Sequence, residues 1–572
     1  MTDATPAGTA ANLDGATIEV VHSYLLAAAD EMRTTLIRTA FNPVIYEVFD
    51  FGISMYDANA ELIAEAPGLT FFLGANDFSL RKGIEYVGAE NLHRGDVLML
   101  NYPYWNAAHA SDATLFAPVF LPPADGSDAD GELIGYVCVR AHWMDLGAKD
   151  AGYVLDSTNV HQEGLLFPGT KVFSRGEPVH DIHELLRFNS RLPDLVLGDL
   201  HAQVSAIRTG ERRLVEIVRK FGREAVDAAV AVVREQSEQK TREALRALPQ
   251  GTWSAEDYID DDGIGDEPLL MRVTVTNEDG HLTVDFDGSA PAAAGPVNMP
   301  FGATLALGKV VLKNLTESTD PGNEGATRPL TVKAEPGTLF HAVYPAPTFT
   351  LWTGIVALEL IYKALAQGMS HLLPASSGGD VPGFMMVGDH PDTGEFYAIS
   401  NNDPVGWGGT PSHDGLNATI HISESIMRST PLEVLEARSG MLFERLEIRT
   451  DSGGAGRFRG GAGLQRDIRF VAPGEFLSVI KKTKTAPWAL EGGLEPEPNQ
   501  VIAFADSDRE ERISTKRIAV QPGDLVRLLT AGGGGHGRPE DRDPELVRRD
   551  VAEGYVSPEA ARTVYGVEVE EA

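Results

Sequence analysis

Val97-Leu98-Met99-Leu100 runs directly into Asn101-Tyr102-Pro103-Tyr104-Trp105-Asn106-Ala107-Ala108-His109-Ala110-Ser111-Asp112. Gly95-Asp96 leads into the first run, whose short apolar content reads as a buried strand. The polar and aromatic stretch after it reads as a long loop. Residues 113–120 form a second apolar strand, a loop rich in Asp and Gly spans 122–131, and residues 133–140 form a third, with His142 just beyond it. If the second and third strands pair antiparallel, the start of one lies beside the end of the other. Asp112 then comes close to His142, with His109 one turn of loop away. Two neutral imidazoles and a carboxylate form a ligand set with positions left open for water or substrate, better suited to Zn, Fe or Mn than to Mg. At this level the same residues read more readily as polar loop residues bonding the backbone, because the H-x-x-D spacing is common.

Working outward, residues 1–14 read as a flexible lead, and Asp14 or Thr17 can cap a helix from about Ile18 to Ala40. Residues 46–55 and 62–64 flank a hairpin turn at Asp57-Ala58-Asn59-Ala60. Residues 204–248 are strongly helical, broken near Gly222. Trp253 opens a β-rich stretch, 305–315 and 354–366 read as helices, and 376–414 reads as glycine-rich loop. From Leu432 the chain is β-rich to about Leu529. Gly532-Gly533-Gly534-Gly535 reads as a linker before a helical tail at 544–564. The fold class expected is mixed α/β (α+β) and multi-domain. The units are a 15–200 α/β metal-site domain, a 201–250 helical segment, a 251–431 α+β domain, a 432–530 β-rich domain, and a 531–572 glycine-rich linker with helical tail.

The chain has 572 residues, 83 acidic against 48 basic, for a formal net charge of −35. A field of that sign repels nucleic acid and anionic lipid, so neither is expected as a partner. Cys138 is the only cysteine, which excludes an intrachain disulfide and a thiolate metal cluster within the chain. It lies in an apolar run and reads as a buried structural residue. The N-terminal stretch has no basic and apolar signal-peptide pattern, and no apolar run reaches the ~20 residues of a membrane helix. A cytoplasmic address is the expectation. Gly302 to Lys309 resembles a phosphate loop, but its spacing is one residue too long and Val310 stands where Ser or Thr is needed. It reads as the start of a packed helix. The run from Gly453 to Gly463, with Arg457 and Arg459, could cradle an anion or form a tight turn array, and the turn array is the favoured reading. His161-Gln162-Glu163-Gly164 offers an acid–imidazole pair beside the metal residues, and Asp145 follows His142 closely.

Further motifs carry a resemblance. They include Asn101-Tyr102-Pro103-Tyr104 with His109 and Asp112, then Ala141-His142-Trp143-Met144-Asp145-Leu146-Gly147 and Gln162-Glu163-Gly164. Gly198-Asp199-Leu200-His201-Ala202-Gln203, Asp285-Phe286-Asp287-Gly288-Ser289, Asn323-Glu324-Gly325 and Asp451-Ser452-Gly453-Gly454-Ala455-Gly456 follow in order. From about residue 16 to 568 the chain resembles the hydantoinase B/oxoprolinase family.

The resemblance implies the fold of that family and a metal held by His109, Asp112 and His142. It implies a small-molecule substrate and a hetero-oligomer with a larger, hydantoinase A-like subunit that binds and cleaves ATP. The activity implied is ATP-dependent opening of a cyclic amide (a hydantoin, lactam or 5-oxoproline). The metal would acidify the attacking water, and Glu163 or Asp145 would accept the proton. ATP-dependent carboxylation of a ketone such as acetone or acetophenone is the alternative, and a non-catalytic scaffold for the ATP-binding subunit is the third. Trp105, Trp143 and Met144 depart from the usual motif. They are expected to add bulk around the pocket and to favour an apolar or aromatic substrate.

Overall fold

The central strand pair forms because residues 112–121 and 132–142 are apolar on both faces, the pattern of a strand covered on two sides. In the computed structural model, which describes residues 13–569 apart from 128, 317–318 and 425, they lie inside a seven-stranded antiparallel sheet. Its order is β2-β1-β5-β4-β3-β6-β7. The strands are β1 (Phe51–Asp57), β2 (Leu62–Glu65), β3 (Val97–Leu100), β4 (Asp112–Leu121), β5 (Glu132–His142), β6 (Pro168–Ser174) and β7 (Glu177–Pro178). Alternation along β4 and β5 divides two cores. Leu115, Ala117, Val137 and Val139 pack against helices Gly15–Thr39 and Pro193–Phe221. Phe116, Tyr136 and Cys138 face the other way, onto helix Thr70–Val87. Cys138 is therefore fully buried, and burial pushes its thiol up to about 12.

Asp14 caps the first helix by accepting from the Thr17 N–H at 2.7 Å. The expected lead falls, up to residue 12, outside the described residues. Residues 43–46 form a one-turn helix, so β1 starts only at Phe51. The helical stretch expected from 204 opens earlier, at Pro193, and breaks at Gly222, whose φ of 86° suits glycine.

A second, four-stranded sheet combines β8 (Gly251–Ile259), β9 (Leu269–Glu278), β10 (His281–Asp285) and β11 (Leu330–Lys333) in the order β11-β10-β9-β8. Helices Phe301–Thr316 and Thr353–Met369 bury one of its faces. The segment resembling a phosphate loop is the start of the first of these helices. Lys309 is tied to the Gly74 carbonyl at 3.0 Å and to Asp77 at 2.6 Å.

Two further sheets share a third core. One pairs Gly383–Asp389 and Phe396–Asn402 with Gly474–Val479 and Lys516–Val520. The glycine-rich region expected as loop thus contains a β-hairpin, and its sheet draws strands from both sides of residue 431. The other sheet contains Met441–Ile448, Leu464–Phe470, Gln500–Ala503, Glu511–Ile513 and Leu525–Leu529.

Gly532–535 is not a linker. These residues are buried and interlocked with two other glycine runs. The Gly454 N–H donates to Gly533 O at 2.8 Å, Gly533 N–H to Gly461 O at 2.9 Å, and Gly461 N–H to Trp407 O at 2.8 Å. A Cβ on Gly533 would overlap the Trp407 carbonyl, so only glycine lets these backbones meet. The same bonds use up amides that the anion reading would have needed, and Arg459 is paired to Asp550 at 3.0 Å. The helical tail is present as Pro544–Ala552 and Pro558–Thr563. Among the described residues no helix is long and apolar enough to cross a membrane.

Candidate metal centre

Asp112 and His142 are direct cross-strand partners in the β4–β5 ladder. Facing residues in such a ladder project to the same side, and His142 Nδ1 lies 3.0 Å from Asp112 Oδ1. His109 Nε2 lies 3.5 Å from the other oxygen of Asp112. One ligand atom from each of the three fits within 4.8 Å of the other two. The set is buried, at 7%, 2% and 2% exposure for His109, Asp112 and His142.

The surrounding sequence builds this placement. Asn101 donates to the carbonyls of Ala110 (2.7 Å) and Leu165 (2.8 Å), folding the long loop back on itself. Asn106 donates to Asp112 O at 2.7 Å and accepts from Thr114 Oγ1 at 2.6 Å. Ala107 turns the loop in the left-handed region, at φ 59°. Gln203 clamps both ligand strands: its amide donates to Ala113 O (3.0 Å) and Val139 O (2.9 Å) and accepts from Trp143 Nε1 (2.7 Å). Asp199, one helical turn earlier, accepts from the N–H groups of Phe41 and Asn42. Asn42 in turn donates to His142 O at 3.3 Å.

Burial drives His109 down to about 4, against a smaller opposing pull from Asp112, so its imidazole is neutral and available as a ligand. Burial alone would raise Asp112, but His109 and the His142 hydrogen bond outweigh it and hold it low. Burial would lower His142, and the hydrogen bond to Asp112 wins and raises it.

The donors suit a cation. Two ligands on one ion, each about 2.1 Å from it, stand roughly 3.0–3.4 Å apart; His142 approaches one Asp112 oxygen at 3.0 Å, and His109 approaches the other at 3.5 Å, just beyond that range. His109 Nδ1 and Asp50 Oδ1 are buried with no hydrogen-bond partner. Unpaired polar atoms are costly in a closed interior, and ones gathered at a cavity point to a ligand. A cavity of about 90 Å³ opens on His109, Asp112 and Asp50, with Glu424 and Asn402 also on its wall. Phe71, Phe72, Tyr153, Trp352 and Ile355 supply much of the rest.

Other site residues expected from the sequence lie elsewhere. Glu163 does not line this cavity. It accepts from Ser157 Oγ (2.7 Å), Thr348 N (2.8 Å) and Phe349 N (3.0 Å), and burial pushes it up to about 7. Those bonds fix Phe349, whose ring stacks on His109 with centroids 5.0 Å apart. Glu163 thus touches the centre only through that ring. His161 turns away to Tyr344 at 3.1 Å, so the acid–imidazole pair does not form. Asp145 accepts from Gly147 N (3.1 Å), from Arg191 N and from the Arg191 guanidinium (3.0 Å), stapling a loop to the segment before helix Pro193–Phe221. Trp143 is fully buried on the opposite side, because it follows His142 and successive strand residues alternate faces. Trp105 packs on Tyr102, and Met144 is buried in the core that includes Trp352 of the cavity wall. None of the three lines the cavity, which takes its aromatic wall from other segments. Sequence reasoning missed Asp50, Glu424, Tyr153 and Trp352.

A profile of the family described as hydantoinase B/oxoprolinase matches residues 14–539. The chain belongs to the hydantoinase B/oxoprolinase family. A protein of Pseudomonas sp. (strain NS671), named as one subunit of a "Putative D-/L-hydantoinase", is 30% identical, over 97% of this chain and 95% of its own. The crystal structure of the ATP-dependent caprolactamase from Pseudomonas jessenii superposes with a TM-score of 0.89 at 27% identity, covering 98% of this chain and 97% of that one. A nucleotide-free structure of acetone carboxylase gives a TM-score of 0.87 at 19% identity, over 98% of this chain and 80% of that one, and shares the fold. The buried His109–Asp112–His142 set therefore sits in a chain whose relatives include named components of ATP-dependent enzymes.

Proposed function

We propose that this chain is the hydrolytic, metal-holding subunit of an ATP-dependent complex that opens a cyclic amide. The observation that carries the reading is the closed set of His109, Asp112 and His142 beside unpaired polar atoms on an apolar-walled cavity. A divalent Zn, Mn or Fe ion held by the three would supply Lewis acidity toward the amide and the attacking water. The chain's own groups do the rest. Asp50 brings a further buried oxygen to the site. Phe71, Phe72 and Trp352 exclude bulk water and hold an apolar ring against the ligand set. ATP is handled by a hydantoinase A-like partner in a cytoplasmic hetero-oligomer. Whole-chain likeness to a hydantoinase subunit and a caprolactamase supports this reading.

Among the described residues lining the cavity there is no Lys or Arg, while Asp50, Asp112 and Glu424 are acidic. A carboxylate on the substrate would find no cationic side chain there to pair with. That supports an uncharged lactam or hydantoin ring over 5-oxoproline.

The test is reconstitution with the ATP-hydrolysing partner. We expect a lactam or hydantoin to stimulate ATP cleavage and to be opened in the absence of bicarbonate, with a transition metal copurifying with this chain. Incorporation of labelled bicarbonate into a ketone would overturn the reading in favour of a carboxylase.

A further inference from the structure

Glu424 stands on the cavity wall with His109 and Asp112, and it is the end of a buried chain of polar side chains. Its Oε1 is 3.1 Å from Ser423 Oγ. Ser423 Oγ is 2.9 Å from His421 Nδ1, and His421 Nε2 is 3.2 Å from Glu359 Oε1. Glu359 also accepts from the Ser377 N–H at 3.0 Å, which anchors the far end. All four residues are buried, at 3% for Glu359, 0% for His421, 3% for Ser423 and 8% for Glu424.

Backbone contacts fix the direction of this chain. The Ser423 N–H donates to His421 Nδ1 at 3.2 Å, so that nitrogen accepts and the Nε2–H donates to Glu359. Thr70 Oγ1 donates to Ser423 O at 2.7 Å and ties the turn to the helix that carries Phe71 and Phe72. The hydroxyl of Ser423 is the only rotor between Glu424 and the imidazole. It accepts from Glu424 while donating to His421 Nδ1 when that carboxyl is protonated, and turns from Nδ1 to donate to Glu424 when the proton has gone. Both protonation states of Glu424 are therefore held in one place, which a purely apolar packing would not do. A buried polar chain costs desolvation and adds little stability over an apolar one. One that ends on the wall of a reaction cavity points to a proton-handling role.

We propose that Glu424 gives a proton to the departing amide nitrogen, and that Ser423, His421 and Glu359 are positioning residues that hold it toward the cavity. This rests on the cyclic-amide reading. In the step, the water oxygen bonds to the carbonyl carbon and the C–N bond breaks. Its electron pair goes to nitrogen, which takes the proton from the Glu424 carboxyl. The proton shed by the added water returns to Glu424. Water is thus divided, OH to carbon and H to nitrogen, and Glu424 ends the cycle as it began. Asp50, Asp112 and Asp380 exert their fields on Glu424, and Tyr153, also on the cavity wall, feels the field of Glu424.

The experiment uses the reconstituted complex with a lactam. Glu424→Gln is expected to lower kcat by about 10²–10⁴-fold, with KM and bound metal unchanged. Glu424→Asp should recover part of the rate. Ser423→Ala should lower kcat by about tenfold and displace the basic limb of the pH profile, and Ser423→Thr should restore both. A wild-type complex that opens no cyclic amide overturns this inference together with the reading beneath it. Wild-type hydrolysis with Glu424→Gln within threefold of the parent overturns the assignment of Glu424 alone. Loss of metal in Glu424→Gln also overturns it, by making the residue part of the ligand set. An unmoved pH limb in Ser423→Ala overturns the positioning role.

Discussion

The candidate metal centre and the interlocked glycine runs are both buried, and they are built on opposite plans. At the centre, backbone groups are paired while side-chain atoms are left over, among them His109 Nδ1 and Asp50 Oδ1. In the glycine runs there are no side chains to leave over, and Gly454, Gly461 and Gly533 spend their amides on one another's segments. The first region keeps unpaired polar atoms beside a cavity, the observation on which the proposed ligand rests. The second closes backbone on backbone with no room for even a Cβ and serves stability. The difference separates function from packing more sharply than burial or residue type does.

The largest effect should come from breaking the first region. His109→Ala is expected to abolish metal binding and reduce hydrolysis by about 10³-fold or more, with a fall in melting temperature that reflects only the lost Asp112 contact and the lost stack on Phe349. Metal analysis and calorimetry check this. Full activity in a metal-free His109→Ala protein would remove the catalytic role of the site.

Breaking the second region should invert that result. Gly533→Ala forces a Cβ into the Trp407 carbonyl and is expected to cost about 3 kcal/mol or more of stability. The fraction that folds should still bind metal. A denaturation midpoint equal to that of the parent would show that the runs are not tightly packed.

The smallest effect sharpens the comparison from between the two. Glu163→Gln keeps an oxygen for the Thr348 and Phe349 amides and should change stability by about 1 kcal/mol or less at pH 5. Its pH dependence should differ more clearly. Burial holds Glu163 up at about 7, above its ordinary 4.5. The folded chain therefore binds the extra proton between those values, and that contribution to stability is lost as pH rises through about 7. The variant should lack this share of the decline, read from unfolding curves between pH 4.5 and 8.

How much of this was legible in the sequence depended on locality. The pairing of Asp112 with His142 followed from strand boundaries alone, because antiparallel register places the start of one strand beside the end of the next. The whole-chain motifs identified the family, and the family profile bears that out. Asp50, Tyr153, Trp352 and Glu424 were invisible, since they reach the cavity from separate segments with no spacing to link them. Trp143 was expected at the pocket because it adjoins His142, yet strand alternation sends neighbours to opposite faces. The hairpin at Gly383–Asp389 and Phe396–Asn402 was hidden by flanking turn residues. Gly532–535 misled for a related reason: lack of side chains signals flexibility in a lone segment and permits close approach among several.

The glycine runs also impose an order of events during synthesis. Gly409 donates to the carbonyl of Gly534, and Gly534 donates to that of Ser376. A ribosome making about 5–20 residues per second takes on the order of ten seconds to travel from the first partner to the last. Through that interval β4 and β5, which bear Asp112 and His142, are already out and able to pair, while the Gly406 and Gly409 amides, once made, wait for Ala531 and Gly534. A nascent chain stalled in this window would own most of the candidate metal site and an unsealed seam, the state in which a chaperone is needed most.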